Sequence, residues 1–217
     1  MTTIYKIHPQ TPQKQKIAAV AKALHQGAIV LYPTDTVYAI GCSLEDKSAI
    51  ERVRRLKQSA NDKPLTFLCD SLSNIAAYAH VEDAAYKIIR KLIPGPYTFL
   101  LPATKQVPRL VMSPKRRTTG IRVPEHAISQ SLMQGLGNPI ISTSALTVAE
   151  HDPDIAFRLS KAELFDRLGP QVDLIIDDGE ALGHKASSII DLIDEPRLIR
   201  RGLGWEALVD WIDEAVA

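Results

Sequence analysis

Short apolar runs alternate along this chain with longer stretches whose apolar side chains recur at helical spacing. A short apolar run bounded by turn residues is typical of a buried strand, and apolar residues three and four positions apart are typical of one helix face. The alternation predicts an α/β domain of two or three layers around a mixed sheet. Strands are predicted at 28–32, 63–69, 97–101, 119–123, 138–144, 172–177, 187–193 and 198–201. Helices are predicted at 12–26, after a cap at Asp46, and at 71–78, 82–92, 124–136, 162–168 and 205–216. Loops are predicted at 104–117, 147–153 and 178–185.

Composition limits the class of protein. The chain has 217 residues, of which 45% are hydrophobic and 24% charged, as is ordinary for a soluble globular protein. Its formal net charge of +1 provides no overall field for gripping nucleic acid, so any basic patch has to be local. Cys42 and Cys69 lie in apolar runs, which predicts buried thiols in a reducing compartment. The N-terminus shows no signal-peptide pattern and no apolar run approaches the ~20 residues of a membrane helix, so we expect a cytoplasmic protein.

One stretch of the chain has polar residues where a buried strand ends. The apolar run 28–32 is followed by Pro-Thr-Asp-Thr at 33–36, and a second apolar run follows at 37–42. Hydroxyl and carboxylate groups at the end of a buried strand cost free energy unless they bind a ligand or pair internally. Ligands of open α/β sheets bind at the carboxyl ends of strands. The stretch is therefore a candidate binding site, and a Pro-Thr-Asp turn closed by an Asx hydrogen bond is the alternative.

Hydroxyls and cations recur at the ends of other predicted strands. Arg122 stands between two apolar residues, so its side chain is expected on the sheet face opposite to theirs. If these groups converge on one sheet edge, they form an anion site suited to a phosphate or a carboxylate. Taken separately, they are ordinary strand residues and solvated cations, and composition alone favours that alternative. The set comprises Thr34, Thr36, Lys57, Lys63, Arg122, Ser142, Ser144, Ser187, Ser188, Arg200 and Arg201.

Sequence motifs of several enzyme classes are missing. There is no Gly-x-Gly-x-x-Gly after a predicted strand, no Walker loop and no Gly-x-Ser-x-Gly elbow. The six histidines are scattered, and no His pair or Cys/His cluster has metal-ligand spacing. We therefore expect each histidine at the surface or at a helix end, and we expect no metal held by protein side chains alone.

The order of the polar segments resembles the YrdC-like family of threonylcarbamoyl-AMP synthases. Pro-Thr-Asp-Thr-Val-Tyr-Ala-Ile-Gly at 33–41 looks like the family's Pro-Thr-Glu-Thr-Val-Tyr-Gly-Leu-Gly. Gly-Ile-Arg-Val-Pro at 120–124 is similar to Gly-x-Arg-x-Pro, and Ser-Thr-Ser-Ala at 142–145 to the start of Ser-Thr-Ser-Ala-Asn. Further matches lie at Lys57 with 63–65, 94–98, 186–191 and 199–202. The resemblance extends from about 17 to about 202, and the matches are specific because they occur together in order.

The resemblance implies a fold and an activity. It implies one YrdC-like domain over 1–217, with a twisted mixed sheet flanked by helices and a concave basic pocket. Such enzymes condense L-threonine, bicarbonate and ATP, with Mg²⁺ bound to the ATP, and release pyrophosphate. The product supplies the threonylcarbamoyl group of adenosine 37 in tRNAs that read ANN codons. By resemblance, Lys57 and Lys63 are catalytic, Thr34 and Thr36 bind the amino acid, and the nucleotide is bound by Arg122, Ser142, Ser144, Ser188 and Arg200.

Two residues of the family pattern are replaced in this chain. The family's Lys-x-Arg is Lys57-Gln-Ser59 here, and its Ser-x-Asn is Ser144-Ala-Leu146. Both replaced residues belong to the nucleotide side of the family's site, and this pattern is similar to the YciO branch. A guanidinium fork is not replaced freely by another cation. Because the loss of one charge-assisted contact costs about 1.5–3 kcal/mol, the resemblance implies a weak activity or an altered substrate.

Two other classes of function stay open on the sequence alone. A non-catalytic protein that binds nucleotide, tRNA or double-stranded RNA would use the same scaffold with the basic groups at 52–57 and 115–117. Binding of that kind weakens steeply with salt. An interaction domain without a ligand is disfavoured by the strand-end hydroxyls. For the assembly, a monomer and a homodimer are both compatible with the sequence.

Overall fold

The fold is built on one mixed sheet whose strands come from the whole length of the chain. A computed structural model describes residues 2–57, 65–113, 115–149 and 158–209. The strands are β1 Thr3–Lys6, β2 Val30–Tyr32, β3 Ala39–Ser43, β4 Thr66–Leu68, β5 Tyr97–Pro102, β6 Thr118–Arg122, β7 Ile140–Ser144, β8 Leu174–Asp177, β9 Ser188–Asp191 and β10 Arg197–Arg200. The helices are α1 Lys14–His25, α2 Lys47–Lys57, α3 Leu72–Tyr78, α4 Asp83–Leu92, α5 Ala127–Leu136, α6 Leu146–Ala149 and α7 Lys161–Leu168, with 3₁₀ turns at Gly169–Gln171 and Trp205–Leu208.

The strand order brings distant parts of the sequence to the centre of the sheet. The order is β1-β8-β2-β3-β7-β4-β6-β5-β9-β10. β8 runs parallel to both β1 and β2, β4 to β6, and β5 to β9, while the other neighbouring pairs are antiparallel. The predicted α/β fold with a mixed sheet is therefore confirmed. β7, β4 and β6, which carry or flank several predicted site residues, lie in the interior of the sheet.

One face of the sheet carries the larger apolar core. Side chains that face one another across neighbouring strands share a face of the sheet. The fully buried row on this face is Cys42, Ile141, Phe67, Ile121, Phe99 and Ile190. Helices α2, α3, α4, α6 and α7 contribute buried residues to the same cluster. Each fully buried side chain of this size stabilises the fold by about 1.5–3 kcal/mol.

The opposite face is covered over only part of its width. There α1 and α5 pack through Ile17, Leu24 and Leu132 on a second apolar cluster that includes Val30 and Ile140 of the sheet. Beyond that cluster the same face continues over the end of β7 and over β4, β6, β5 and β9. We call this part the open strip, and it is defined by Thr66, Leu100, Gly120, Ser144 and Ile189. All of these except Gly120 keep part of their side chain exposed.

Both cysteines are buried free thiols, as the sequence predicts. Cys42 and Cys69 are fully buried and form no disulfide. Burial raises the pKa of each thiol to about 12, so both stay protonated at neutral pH and are unreactive.

Most predicted elements are present, with ends that coincide or are shifted by up to three residues. The predicted helix start at Pro124 is wrong, because the chain stays extended to His126 and α5 begins at Ala127. The Pro124 carbonyl accepts a hydrogen bond from the side chain of Gln130 instead of starting the helix. The predicted loop at 147–153 is wrong for its first part, since α6 is helical and buries Leu146; the remainder lies outside the described residues.

Two errors concern the ends of the chain. β1 was not predicted, because it lies at the sheet edge, pairs with β8 alone and exposes most of its side chains, so it lacks an apolar pattern. The predicted helix at 205–216 is a 3₁₀ turn over its first four residues, and 210–216 lie outside the described residues.

The predicted strand at 63–69 is observed as β4, with 63 and 64 outside the described residues. None of the helices in the described ranges is long and apolar enough to span a bilayer.

Candidate functional site

The turn between β2 and β3 is closed by its own threonines. Thr34 Oγ1 donates to the carbonyl of Val37 at 2.7 Å and accepts from the backbone N–H of Thr36 at 3.2 Å. From α5, Ser129 Oγ donates to the carbonyl of Pro33 at 2.9 Å. The Asx hydrogen bond that was the alternative for this turn is thus replaced by a threonine hydroxyl. This leaves the carboxylate of Asp35 for another partner.

That partner is Arg122 at the end of β6. Arg122 Nη2 lies 2.5 Å from Asp35 Oδ1, and Arg122 Nη1 donates to Thr36 Oγ1 at 2.9 Å. The two charged side chains are only 8% and 11% exposed. As predicted, Arg122 faces away from Ile121, which lies in the larger core, yet it is itself buried. Both terminal nitrogens of the guanidinium are therefore directed at the turn and fix it against the sheet.

Three buried polar atoms around this ion pair have no hydrogen-bond partner in the described part of the chain. They are Asp35 Oδ2, Arg122 Nε and His126 Nδ1. Burial lowers the pKa of Arg122, an effect that the charge of Asp35 opposes. Burial also lowers the pKa of His126, against the attraction of Asp178 and Asp35, so the imidazole is neutral at pH 7. Unpartnered buried groups are rare in native proteins and indicate a place where water or a ligand is bound.

Segment 178–187, which we call the covering loop, packs over the turn. Gly183 lies so close to Thr36 that a Cβ atom at this glycine would be 1.9 Å from the Thr36 carbonyl oxygen. Leu182 anchors the loop in the larger core. At the start of the loop, Asp178 accepts hydrogen bonds from Tyr38 Oη at 2.9 Å and from Lys161 Nζ at 2.7 Å. The loop and the turn are therefore positioned by one connected set of contacts.

A second polar group joins β5, β9 and β10. Thr98 Oγ1 and Ser187 Oγ are 2.9 Å apart. Arg200 donates to the carbonyl of Ser187 from Nε at 3.0 Å and from Nη2 at 2.8 Å. Ser188 Oγ donates to the carbonyl of Leu203 at 3.0 Å. Partial desolvation lowers the pKa of Arg200, which keeps part of its surface exposed, and the positive charge of Arg122 lowers it further.

The two serines of β7 have different surroundings. Ser142 Oγ accepts a hydrogen bond from the buried hydroxyl of Tyr32 at 3.0 Å, and the serine is 2% exposed. Ser144 lies opposite Ala39 at the end of β7 and is half-buried. Ser142 is thus already used inside the sheet, whereas Ser144 lies on the open strip.

The two predicted lysines and the two replaced family positions lie in different surroundings. Lys57 is the last residue of α2 and is half-buried. Lys63 and Ser59 lie outside the described residues. Leu146 starts α6 with 1% of its surface exposed and belongs to the larger core. Position 146 therefore faces the apolar interior in this chain.

The structure thus brings the predicted residues into two neighbouring groups, one around Thr34, Thr36 and Arg122 and one around Ser188 and Arg200. Sequence reasoning gave no role to Asp35 as a counter-ion or to His126 beside it. The sequence signal for both is local: Asp35 lies inside the polar triplet, and His126 follows Arg122 by four residues at the start of a helix. Among the described residues, no three His, Cys, Asp or Glu side chains are grouped to hold a metal ion.

Comparison with known proteins gives the family. A family model for Sua5, YciO and YrdC proteins, described as "Telomere recombination", matches residues 22–202. The chain belongs to this Sua5/YciO/YrdC family. The match covers the turn, both arginines and β7, and the resemblance inferred from the polar segments is confirmed.

Two kinds of similar protein are compared with this chain, YciO proteins and threonylcarbamoyl-AMP synthases. The uncharacterized protein YciO of Escherichia coli strain K12 is 40% identical over 94% of this chain and 97% of its own length, and the crystal structure of E. coli YciO matches with a TM-score of 0.84. The threonylcarbamoyl-AMP synthase of Vibrio vulnificus strain YJ016 is 31% identical over 84% of this chain and 96% of its own length. Pyrococcus abyssi Sua5, solved in complex with L-threonine, is 26% identical with a TM-score of 0.84 over 98% of this chain and 62% of that chain. The higher identity to YciO agrees with the predicted branch.

Proposed function

We propose that this protein makes threonylcarbamoyl-AMP from L-threonine, bicarbonate and ATP, with release of pyrophosphate. The observation that carries the proposal is the turn at 33–36, clamped to Arg122 beside the open strip. The P. abyssi relative that was solved with L-threonine shares this fold over 98% of the chain. The proposed activity is that of the synthases in the family, and the tRNA modification that consumes their product is the proposed context.

The proposed chemistry requires no covalent nucleophile. CO₂ formed by dehydration of bicarbonate is attacked by the neutral amine of L-threonine, which loses a proton to give the carbamate. One carbamate oxygen then attacks the α-phosphorus of ATP, and the bond from that phosphorus to the pyrophosphate oxygen breaks. Such a reaction depends on holding two anions in line and on neutralising the charge that develops. We assign the amino acid to Thr34 and Thr36, and charge neutralisation to Lys57 and Lys63. Mg²⁺ would enter with ATP and be held mainly by its phosphates.

Two features of the second polar group support a phosphate-binding role. Among the described residues, Arg200 donates only to Ser187, through the carbonyl and the hydroxyl oxygen, and both are neutral. A guanidinium pairs with a phosphate through parallel, often bidentate hydrogen bonds between opposite charges, which a neutral acceptor does not provide, so a phosphate can replace these contacts. The nearby backbone N–H of Gly202, which donates to Ser188 Oγ at 3.1 Å, adds a further donor. We therefore assign the phosphate chain to Arg200 and Arg122, and the ribose side to Ser144. Ser142 and Ser188 are 2% and 0% exposed, with hydroxyls bonded to Tyr32 and to the Leu203 carbonyl, so they support the site from inside the sheet.

The replaced family positions set the expected strength of this activity. Leu146 lies in the core and supplies no donor or acceptor to a nucleotide. One missing contact of about 1.5–3 kcal/mol corresponds to roughly a tenfold to hundredfold weaker interaction. We therefore expect a KM for ATP at least tenfold above that of a family synthase that carries the asparagine, measured under the same conditions.

The test is pyrophosphate release that depends on both L-threonine and bicarbonate. Purified protein is assayed with ATP and a panel of amino acids, together with the variants Thr36→Val and Lys57→Ala. Thr36→Val keeps the shape of the side chain and removes the hydroxyl. Lys14→Ala, an exposed change at the start of α1, is the control. We expect threonine-dependent release that both site variants reduce at least tenfold; no release with any amino acid, or release unchanged in both variants, contradicts the proposal.

A genetic experiment tests the proposed context. The wild-type gene and the Thr36→Val variant are expressed in a strain that lacks its own synthase, and threonylcarbamoyladenosine is measured in its tRNA. We expect the modification to return with the wild-type protein and to stay low with the variant. Modification that stays absent with wild-type protein, in a strain where a control synthase restores it, argues for a different substrate.

A further inference from the structure

Two arginines of the site differ in what neutralises them. Arg122 is paired with Asp35 inside the protein. Arg200 binds only neutral oxygens of Ser187, and no carboxylate of the described residues lies within ion-pair distance of it. The register that pairs Phe99 with Ile121 places Thr98 next to Arg122 across β5 and β6. Thr98 Oγ1 lies 2.9 Å from Ser187 Oγ, to which Arg200 donates at 3.1 Å, so the two arginines belong to one connected site. Of these two arginines, one has an internal counter-ion and the other has none among the described residues.

The internal counter-ion is held through a single contact. Asp35 Oδ1 is bonded to Arg122, and Asp35 Oδ2 is enclosed without any partner. A carboxylate with one unsatisfied buried oxygen is poorly compensated for its lost hydration. The turn itself is closed by Thr34 and not by Asp35. Moving the Asp35 carboxylate away from Arg122 therefore leaves the hydrogen bonds of the turn intact.

A tethered carboxylate competes unequally with different anions. Asp35 precedes Thr36, which accepts a hydrogen bond from the same guanidinium, so its carboxylate is always close to Arg122. Tethering of this kind corresponds to an effective concentration in the millimolar range or above. A compact anion gains only one charge-assisted contact, the one with Arg122, when it displaces the Asp35 carboxylate. An extended polyanion that reaches Arg200 as well gains a second charge-assisted contact that compensates for the displacement.

We propose that Asp35 is a specificity-determining residue, an internal anion that excludes compact anions from Arg122 and yields to an extended polyphosphate that contacts Arg122 and Arg200 together. The inference rests on the proposed function only in identifying the polyphosphate with the phosphate chain of ATP or with released pyrophosphate. It requires neither turnover nor L-threonine. Inorganic anions alone can therefore test it.

The experiment compares inorganic phosphate and pyrophosphate by isothermal titration calorimetry at constant ionic strength. Wild-type protein is expected to bind pyrophosphate at least tenfold more tightly than phosphate. Because Asp35→Asn removes a negative charge next to the binding site, we expect it to strengthen phosphate binding about tenfold and to reduce the preference for pyrophosphate. Asp35→Glu keeps the charge and should keep the preference. Glu82→Gln, which removes an exposed carboxylate before α4 on the other face of the sheet, should resemble wild type.

The inference is overturned if Asp35→Asn binds phosphate no more tightly than wild type while its circular dichroism spectrum is native. A structure of the wild-type protein with pyrophosphate provides the test if that variant does not fold. We expect Arg122 Nη2 bonded to a pyrophosphate oxygen and the Asp35 carboxylate turned away from it. Pyrophosphate bound next to an intact Asp35–Arg122 pair overturns the inference.

The two proposals fail in different experiments. Normal anion selectivity without threonine-dependent pyrophosphate release contradicts only the proposed function. Threonine-dependent release with unchanged anion selectivity in Asp35→Asn contradicts only the role of Asp35.

Discussion

Replacing Arg122 by Met tests how much the ion pair with Asp35 stabilises the turn and the sheet edge. The variant keeps most of the apolar volume of the side chain and removes the charge, which leaves Asp35 11% exposed and without a partner. Removing one partner of a buried ion pair costs about 3–5 kcal/mol. For a chain of this length each kcal/mol lowers Tm by about 2–4 °C. We expect the free energy of unfolding to decrease by about 3–5 kcal/mol and Tm by about 6–20 °C.

The assay is urea unfolding at pH 7, followed by circular dichroism, for wild type, Arg122→Met, Asp35→Asn and the double variant. The double variant removes both charges and leaves no unpaired charge behind. We expect its loss of unfolding free energy to be smaller than the sum of the two single losses by at least about 2 kcal/mol. Arg52→Met is the matched control, because the Arg52–Asp173 pair is 36% and 41% exposed and such a pair contributes about 0–1 kcal/mol. A loss below about 1 kcal/mol in Arg122→Met, or additive single losses, would refute the reasoning.

Four further perturbations follow from the site. Ser142→Ala leaves the buried hydroxyl of Tyr32 without its acceptor, so we expect a loss of about 1–3 kcal/mol in urea unfolding; Tyr32→Phe in the same background should recover part of it. Because burial lowers the pKa of His126, this group contributes stability that is present above its unfolded pKa of about 6.5 and is lost as pH falls through the folded value; His126→Gln should flatten the Tm profile below pH 6.5, and an unchanged profile contradicts the assignment. Gly183→Ala forces the covering loop away from Thr36 and should reduce threonine-dependent pyrophosphate release at least tenfold, whereas Gly169→Ala, where the nearest atom is 3.8 Å from the added Cβ, should leave it unchanged. Leu146→Asn restores the family residue but places an amide in the core, so we expect about 3–5 kcal/mol of destabilisation and no gain in release; higher release at normal stability would show that position 146 reaches the nucleotide.

The interior of the fold could be predicted because its signal is local. Strands such as β2 and β8 lie in short apolar runs bounded by turn residues, and the helix faces of α1 and α5 follow the helical period. β1 could not be predicted, because an edge strand with one neighbour has no continuous apolar row. α6 could not be predicted, because one helical turn is too short to show a helical period of apolar residues.

The site likewise contains residues that a local sequence pattern reveals and contacts that only the fold creates. Thr34 and Thr36 could be found because polar residues at the end of a buried strand stand out in the sequence. The pairing of Asp35 with Arg122 joins residues 87 positions apart and depends on the strand order, so no local pattern contains it. The burial of Leu146 likewise follows from the packing of α6 on the larger core.

The interior position of β7, β4 and β6 has a consequence for binding. Each of these strands is hydrogen-bonded on both sides, and local unfolding of such strands requires nearly the full free energy of unfolding. The floor of the open strip is thus rigid before any ligand arrives, and little conformational entropy is lost there on binding. Adjustment to ligands of different size is left to the turn at 33–36 and to the covering loop. Substrate range in this branch of the family should therefore change through those two segments, while the strands beneath them keep their sequence.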